Sequence, residues 1–165
     1  MNDKWVDPII KSIDRLTHVI IDHHYLNEFF EDEDHGISHG LMVAYWALQY
    51  GEEDELTILG CLCHDIARFT HGDLNHDQNL IKVIDYLPAT VYEHTNPTEV
   101  TNLVRADRLD LIRFDNANHW VKPEMVPEIL EVDFYRSLRT KIIESPEFTD
   151  LTVYFMDNLI ESRIS

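Results

Sequence analysis

Positive charge is what this chain has least of: 13 Lys and Arg stand against 31 Asp and Glu, a formal net charge of −18. A field of that sign repels long polyanions and counts against a DNA- or RNA-binding surface. It still admits a small phosphorylated ligand, because a local metal ion can dominate the potential inside a pocket. Cysteine is almost missing too. Cys61 and Cys63 sit two apart on an expected helix, about 200° around its axis, so they should not bond to each other. They read as small core residues in a reducing compartment. No apolar run approaches the length of a membrane span. The start, Met1-Asn2-Asp3-Lys4, has neither the basic opening nor the apolar core of a signal peptide, so a cytoplasmic protein is expected. With glycine scarce (5), proline modest (6) and no persistent alternation of apolar and polar residues, strands have little to build on.

What is present is helical spacing. At 165 residues, 44% of them hydrophobic, the chain is long enough for one real core and too short for two comfortable ones. A compact all-α bundle is expected, one domain over residues 1–165. Ile9, Ile13, Leu16 and Ile20 begin a first helix that runs, with a break, to Phe29-Phe30, and Glu31-Asp32-Glu33-Asp34 reads as a solvated loop. A second helix covers Ile37 to Tyr50, its buried stripe His39, Met42, Val43, Trp46 and Tyr50, stopped by Gly51. Glu52 to Glu55 give the third helix an acidic first turn that suits its dipole. His76, Leu80, Val83, Ile84 and Leu87 line a short helix, with His71 in the loop before it. Val100, Val104, Asp107, Leu111 and Phe114 form a further stripe with an aspartate in its middle. Glu128 to Glu144 and a last helix from Pro146, with Phe148, Leu151, Phe155 and Leu159 buried, serve as a brace over 124–161.

Three of these stripes carry ionisable groups where apolar ones belong: His39, the pair His64-Asp65 closing an apolar run, and Asp107. A buried carboxylate loses its hydration for nothing unless a cation is near. A divalent transition metal (Mn, Fe, Co, Ni or Zn) removes the paradox, since neutral imidazole and carboxylate are both good ligands for such ions. For any one of these residues an ordinary satisfied histidine or a solvated helix end explains as much. The set does not reduce to that so easily.

The ordered pattern resembles the HD-domain superfamily of metal-dependent phosphohydrolases over roughly residues 35 to 114. It rests on Gly36-Ile37-Ser38-His39, on Leu62-Cys63-His64-Asp65-Ile66-Ala67 and on Val104-Arg105-Ala106-Asp107-Arg108-Leu109-Asp110. The resemblance implies that His39, His64, Asp65 and Asp107 hold one divalent ion. Members with two ions add histidines between the His-Asp pair and the final Asp, and His76 and His94 stand in the right order for that. Gly72-Asp73-Leu74 looks like an element of the family's single-domain nucleotidases, although Arg68 occupies the place of their catalytic Glu. Asp65 and Asp73 are then the expected catalytic carboxylates, and Arg68, Lys82 and Arg108 the substrate-binding cations.

The function implied is hydrolysis of a small nucleotide-like phosphate ester. A divalent ion lowers the pKa of coordinated water to about 7, so hydroxide is at hand at neutral pH. Two other classes fit the same residues. One is a di-iron oxygenase of the HD type that cleaves a carbon–phosphorus bond, which air-dependent iron signals would reveal. The other is a catalytically silent metal- or nucleotide-binding module, marked by metal-dependent stabilisation without turnover. A small phosphorylated partner is expected, with no long nucleic acid and no membrane; a homo-oligomer is left open.

Overall fold

A computed structural model of the chain describes residues 3–16, 23–66 and 102–164, all-α with no strand among them. No helix among the described residues is long and apolar enough to cross a membrane.

Helix α1 (Val6–Ile13) follows a short 3-10 turn, and α2 (His23–Glu31) is a separate helix. The expected first helix is thus two, with Ile9, Ile13 and Leu16 buried on one side of the break and Phe29 on the other. Ile20 lies outside the described residues. Beyond α2 the Asp32 carboxylate accepts from the backbone N–H groups of Asp34 (2.9 Å) and His35 (2.8 Å), which turns the acidic loop toward the next helix.

Helix α3 (Ile37–Gln49) is the axis of the fold. Every residue from Ile37 to Ala47 except Ser38 is buried. A helix covered around its whole circumference belongs in the interior, so the single stripe read from the sequence is too narrow. Gly51, at φ +92°, ends this region in a conformation that L side chains rarely adopt.

Helix α4 (Glu55–Cys63) begins at Asp54, whose Oδ2 accepts from the Thr57 N–H at 3.0 Å and caps the first turn. It lies against α3 at Gly40, where a Cβ would come within 2.4 Å of the Leu62 carbonyl oxygen. Only glycine allows that approach. Cys61 and Cys63 are buried and unlinked, as expected.

Helix α5 (Asn102–Leu109) packs on α3 and α4, then tightens into a 3-10 turn over Asp110–Arg113. The tighter pitch rotates the register. Val104 is buried as expected, but Leu111 and Phe114 are only half-buried, and Asp110 and Ile112 take the interior positions. A single turn, α6 (Ala117–Trp120), and a 3-10 turn at Pro127–Glu131 lead into α7 (Val132–Ile143). The last helix, α8 (Pro146–Ile164), buries Phe148, Leu151, Phe155 and Leu159 and packs on α1, α3 and α7. Its Phe155 ring meets Phe29 edge-on, centroids 6.1 Å apart.

Candidate metal centre

The close approach at Gly40 brings the first turns of α3 to the end of α4, and α5 closes over both. His39 on α3 and His64 and Asp65 at the end of α4 therefore come together, and Asp107 on α5 approaches the two histidines. His39 Nε2 lies 3.0 Å from His64 Nε2, and Asp107 Oδ1 lies 3.1 Å from each. Asp65 Oδ2 is 3.3 Å from His64 Nε2 and 3.5 Å from His39 Nε2. The ligand atoms of His39, His64 and Asp65 all fall within 4.8 Å of one another. Bonds of about 2.1 Å to one cation put neighbouring ligand atoms roughly 3.0 to 3.4 Å apart, depending on coordination number. The spacings from Asp107 to the two histidines and between the histidines fall in that range, and those from Asp65 are at its upper edge.

The outward nitrogens settle which atoms face the centre. His39 Nδ1 lies 2.7 Å from Asp110 Oδ2, and His64 Nδ1 lies 2.7 Å from the Cys61 carbonyl oxygen. A carbonyl and an ionised carboxylate only accept, so each Nδ1 carries the proton and donates. Both Nε2 lone pairs are left turned inward toward two carboxylate oxygens. Four electron-rich atoms at such distances repel one another unless a proton or a metal cation lies among them. His39, His64 and Asp65 are buried and Asp107 is half-buried, so water screens little of this.

The carboxylates of the centre favour positive charge among them. Burial works against a charged His64, yet the carboxylates of Asp65 and Asp107 outweigh it and raise its pKa well above the ordinary value. Burial likewise opposes ionisation of Asp107, but His64 and His39 prevail and hold it well below the carboxylate range. The donor set, two imidazoles and two carboxylates, suits a divalent transition ion.

Behind His39 stands a second carboxylate. Asp110 is fully buried; Trp46 Nε1 donates to its Oδ1 at 3.0 Å, and Arg139 from α7 donates Nε to Oδ1 at 2.8 Å and Nη2 to Oδ2 at 3.2 Å. Arg113 Nη1 lies 3.7 Å from Oδ2 and donates to the Asp110 backbone carbonyl at 2.8 Å. Burial disfavours the charged carboxylate, but Arg139 and His39 overcome it and bring the pKa down to about 2. Helix α7 thus reaches the centre through Arg139 as well as packing. At the rim, half-exposed His35 places Nδ1 3.5 Å from Asp65 Oδ2.

Of the residues singled out in the sequence, His39, His64, Asp65 and Asp107 come together. Arg108 directs its guanidinium to Met125 Sδ, 2.7 Å away. His76, His94, Asp73, Arg68 and Lys82 lie outside the described residues. Sequence reasoning missed His35, Asp110 and Arg139, and gave Trp46 a purely apolar role. Asp110, three residues beyond Asp107, carried the one available signal: a second aspartate on the same helix face.

The family model described as HD domain matches residues 34–122, more than half of the chain and the whole span from His35 to Asp110. No curated protein and no solved structure matches the chain.

Proposed function

This chain belongs to the HD domain family, whose members are in general metal-dependent phosphohydrolases, and we propose that it hydrolyses a small nucleotide-like phosphate ester. The observation that carries the reading is the convergence of His39 Nε2, His64 Nε2, Asp65 Oδ2 and Asp107 Oδ1, with both Nδ1 atoms committed elsewhere. In this reading those four residues hold a divalent ion. Such an ion supplies Lewis acidity toward phosphate oxygens and acidifies a nearby water.

The chain's own groups do the rest. Asp110, anchored by Arg139 and Trp46, keeps the His39 ring in the tautomer that offers Nε2. Asp65 and the half-exposed His35 at the rim form a pair through which a proton can leave toward solvent. Arg68, Lys82 and Arg108 are the proposed cations for the phosphate, Asp73 a second carboxylate, and His76 and His94 the ligands of a second ion if there is one. The net charge of −18 favours a compact substrate over a long polyanion.

The test is elemental analysis of protein purified without added metal, followed by a screen of nucleoside monophosphates and phosphonates with Mn, Co and Fe. Phosphate release from a nucleotide, lost together with metal in Asp65→Ala, is expected. Full activity and metal content in Asp65→Ala would refute the assignment. Oxygen-dependent consumption of a phosphonate would replace hydrolysis with the oxygenase chemistry.

A further inference from the structure

About two helical turns along α3 from His39, α7 and the Pro127–Glu131 turn close against the central helix around a cavity of about 280 Å³. Four aromatic side chains line it, Trp46, Tyr50, Phe134 and Tyr135, together with Glu128. The rings brace one another edge to face. Trp46 and Tyr135 have centroids 6.1 Å apart at 68°, and Phe134 and Tyr135 are 5.1 Å apart at 87°. Phe134 is largely exposed, so the cavity opens to solvent on that side.

The Glu128 carboxylate stands beside the Tyr50 hydroxyl, and both residues are half-buried. Burial, and then the charge of Glu128 and a hydrogen bond to it, push the Tyr50 phenol far up; burial and the Glu128 charge also raise Tyr135. Glu128 therefore stands close to both phenols, and neither phenol ionises at neutral pH. A half-buried carboxylate beside aromatic walls draws a positive charge. Aromatic rings attract cations through their quadrupole. Tyr50 already does so: the Arg105 guanidinium lies 5.7 Å from its ring centroid.

We propose that the Trp46–Tyr50–Phe134–Tyr135 cavity binds a small organic ammonium ion, methylated or quaternary, with the rings against its methyl groups and Glu128 as its counter-charge. Methylation suits the walls. A bare inorganic cation keeps its hydration shell, whereas a quaternary ammonium sheds water readily and presents apolar methyl groups to the rings. A choline-sized ion fits the volume with space to spare. The site stands apart from the metal centre and does not depend on it, although Trp46 touches both: its Nε1 donates to Asp110 at 3.0 Å.

The experiment titrates choline and its neutral isostere 3,3-dimethylbutan-1-ol into the full chain, read by calorimetry and tryptophan fluorescence. Choline is expected to bind at least about tenfold more tightly than the alcohol. Glu128→Gln and Phe134→Ala should each weaken choline about tenfold while the helical circular dichroism stays unchanged. Because Phe134 is exposed, its variant keeps the test alive even if Glu128→Gln fails to fold. Equal binding of choline and the alcohol, absence of choline binding at millimolar concentration, or unchanged affinity in Phe134→Ala would each overturn the proposal.

Discussion

His39 is gripped from both ends: Nε2 points into the centre, and Nδ1 donates to a carboxylate that itself accepts from Trp46 and Arg139. That grip makes Asp110 testable. Asp110→Asn keeps the shape and an acceptor for His39, but it leaves Arg139 facing a neutral amide in a buried place. A stability loss of about 3 kcal/mol is expected, as for one partner removed from a buried pair. Metal affinity should fall about 10- to 100-fold, the usual effect of losing a carboxylate behind a ligating histidine. Urea unfolding and metal titration of the variant check both. Unchanged metal affinity would mean that His39 needs no such support.

At this scale the sequence disclosed part of the site. His39 and Asp107 were legible because each interrupts an apolar register, and His64-Asp65 because it closes one. Asp110 was not. Its partners come from positions 39, 46 and 139, and no local pattern in the chain announces that they meet. Arg139 lies beside Leu138 in a helix whose apolar residues alone were used to choose its buried face. A long side chain reaching past that face leaves no periodic trace.

At the scale of the element, the decisive contact is α3 against α4 at Gly40. Adding one methyl group there drives it into the Leu62 carbonyl oxygen, which is backbone and cannot swing aside. Gly40→Ala should therefore cost about 1 to 3 kcal/mol. It should also weaken metal binding, because the two helices it separates carry His39 and His64. Asp54→Ala is the contrasting case. It removes the α4 cap for about 1 kcal/mol and, one helix length from His64, should leave metal affinity alone. Paired thermal melts and metal titrations distinguish them; equal metal affinity in wild type and Gly40→Ala would show that the approach matters only for packing.

Helix existence was well marked by apolar spacing, and the burial of α8 along Phe148, Leu151, Phe155 and Leu159 followed it closely. Pitch was not legible. The change to a 3-10 turn after Leu109 swapped Leu111 and Phe114 for Asp110 and Ile112 as inward residues, because packing against α3 and α7 outweighs the 3.6-residue period there.

For the whole molecule, the composition foretold an all-α fold, and glycine and strand patterning left few alternatives. The chain has 31 acidic residues, and two of them, Asp65 and Asp107, crowd into a centre with two imidazoles. Any ion that binds this native arrangement and not the unfolded chain must stabilise the fold. With free metal at 100 times its Kd, the gain is about 2.7 kcal/mol. Mn or Co should raise Tm in a concentration-dependent way, and a chelator should reverse it. A melting temperature indifferent to every divalent ion tried would deny the centre its cation.

The most direct measurement is anomalous diffraction from crystals grown with Mn, collected at the metal edge. One peak is predicted among His39 Nε2, His64 Nε2, Asp65 and Asp107, about 2.0 to 2.3 Å from each ligand atom. A crystal saturated with Mn that shows no peak there, or holds the ion elsewhere with these four side chains uninvolved, would contradict the account.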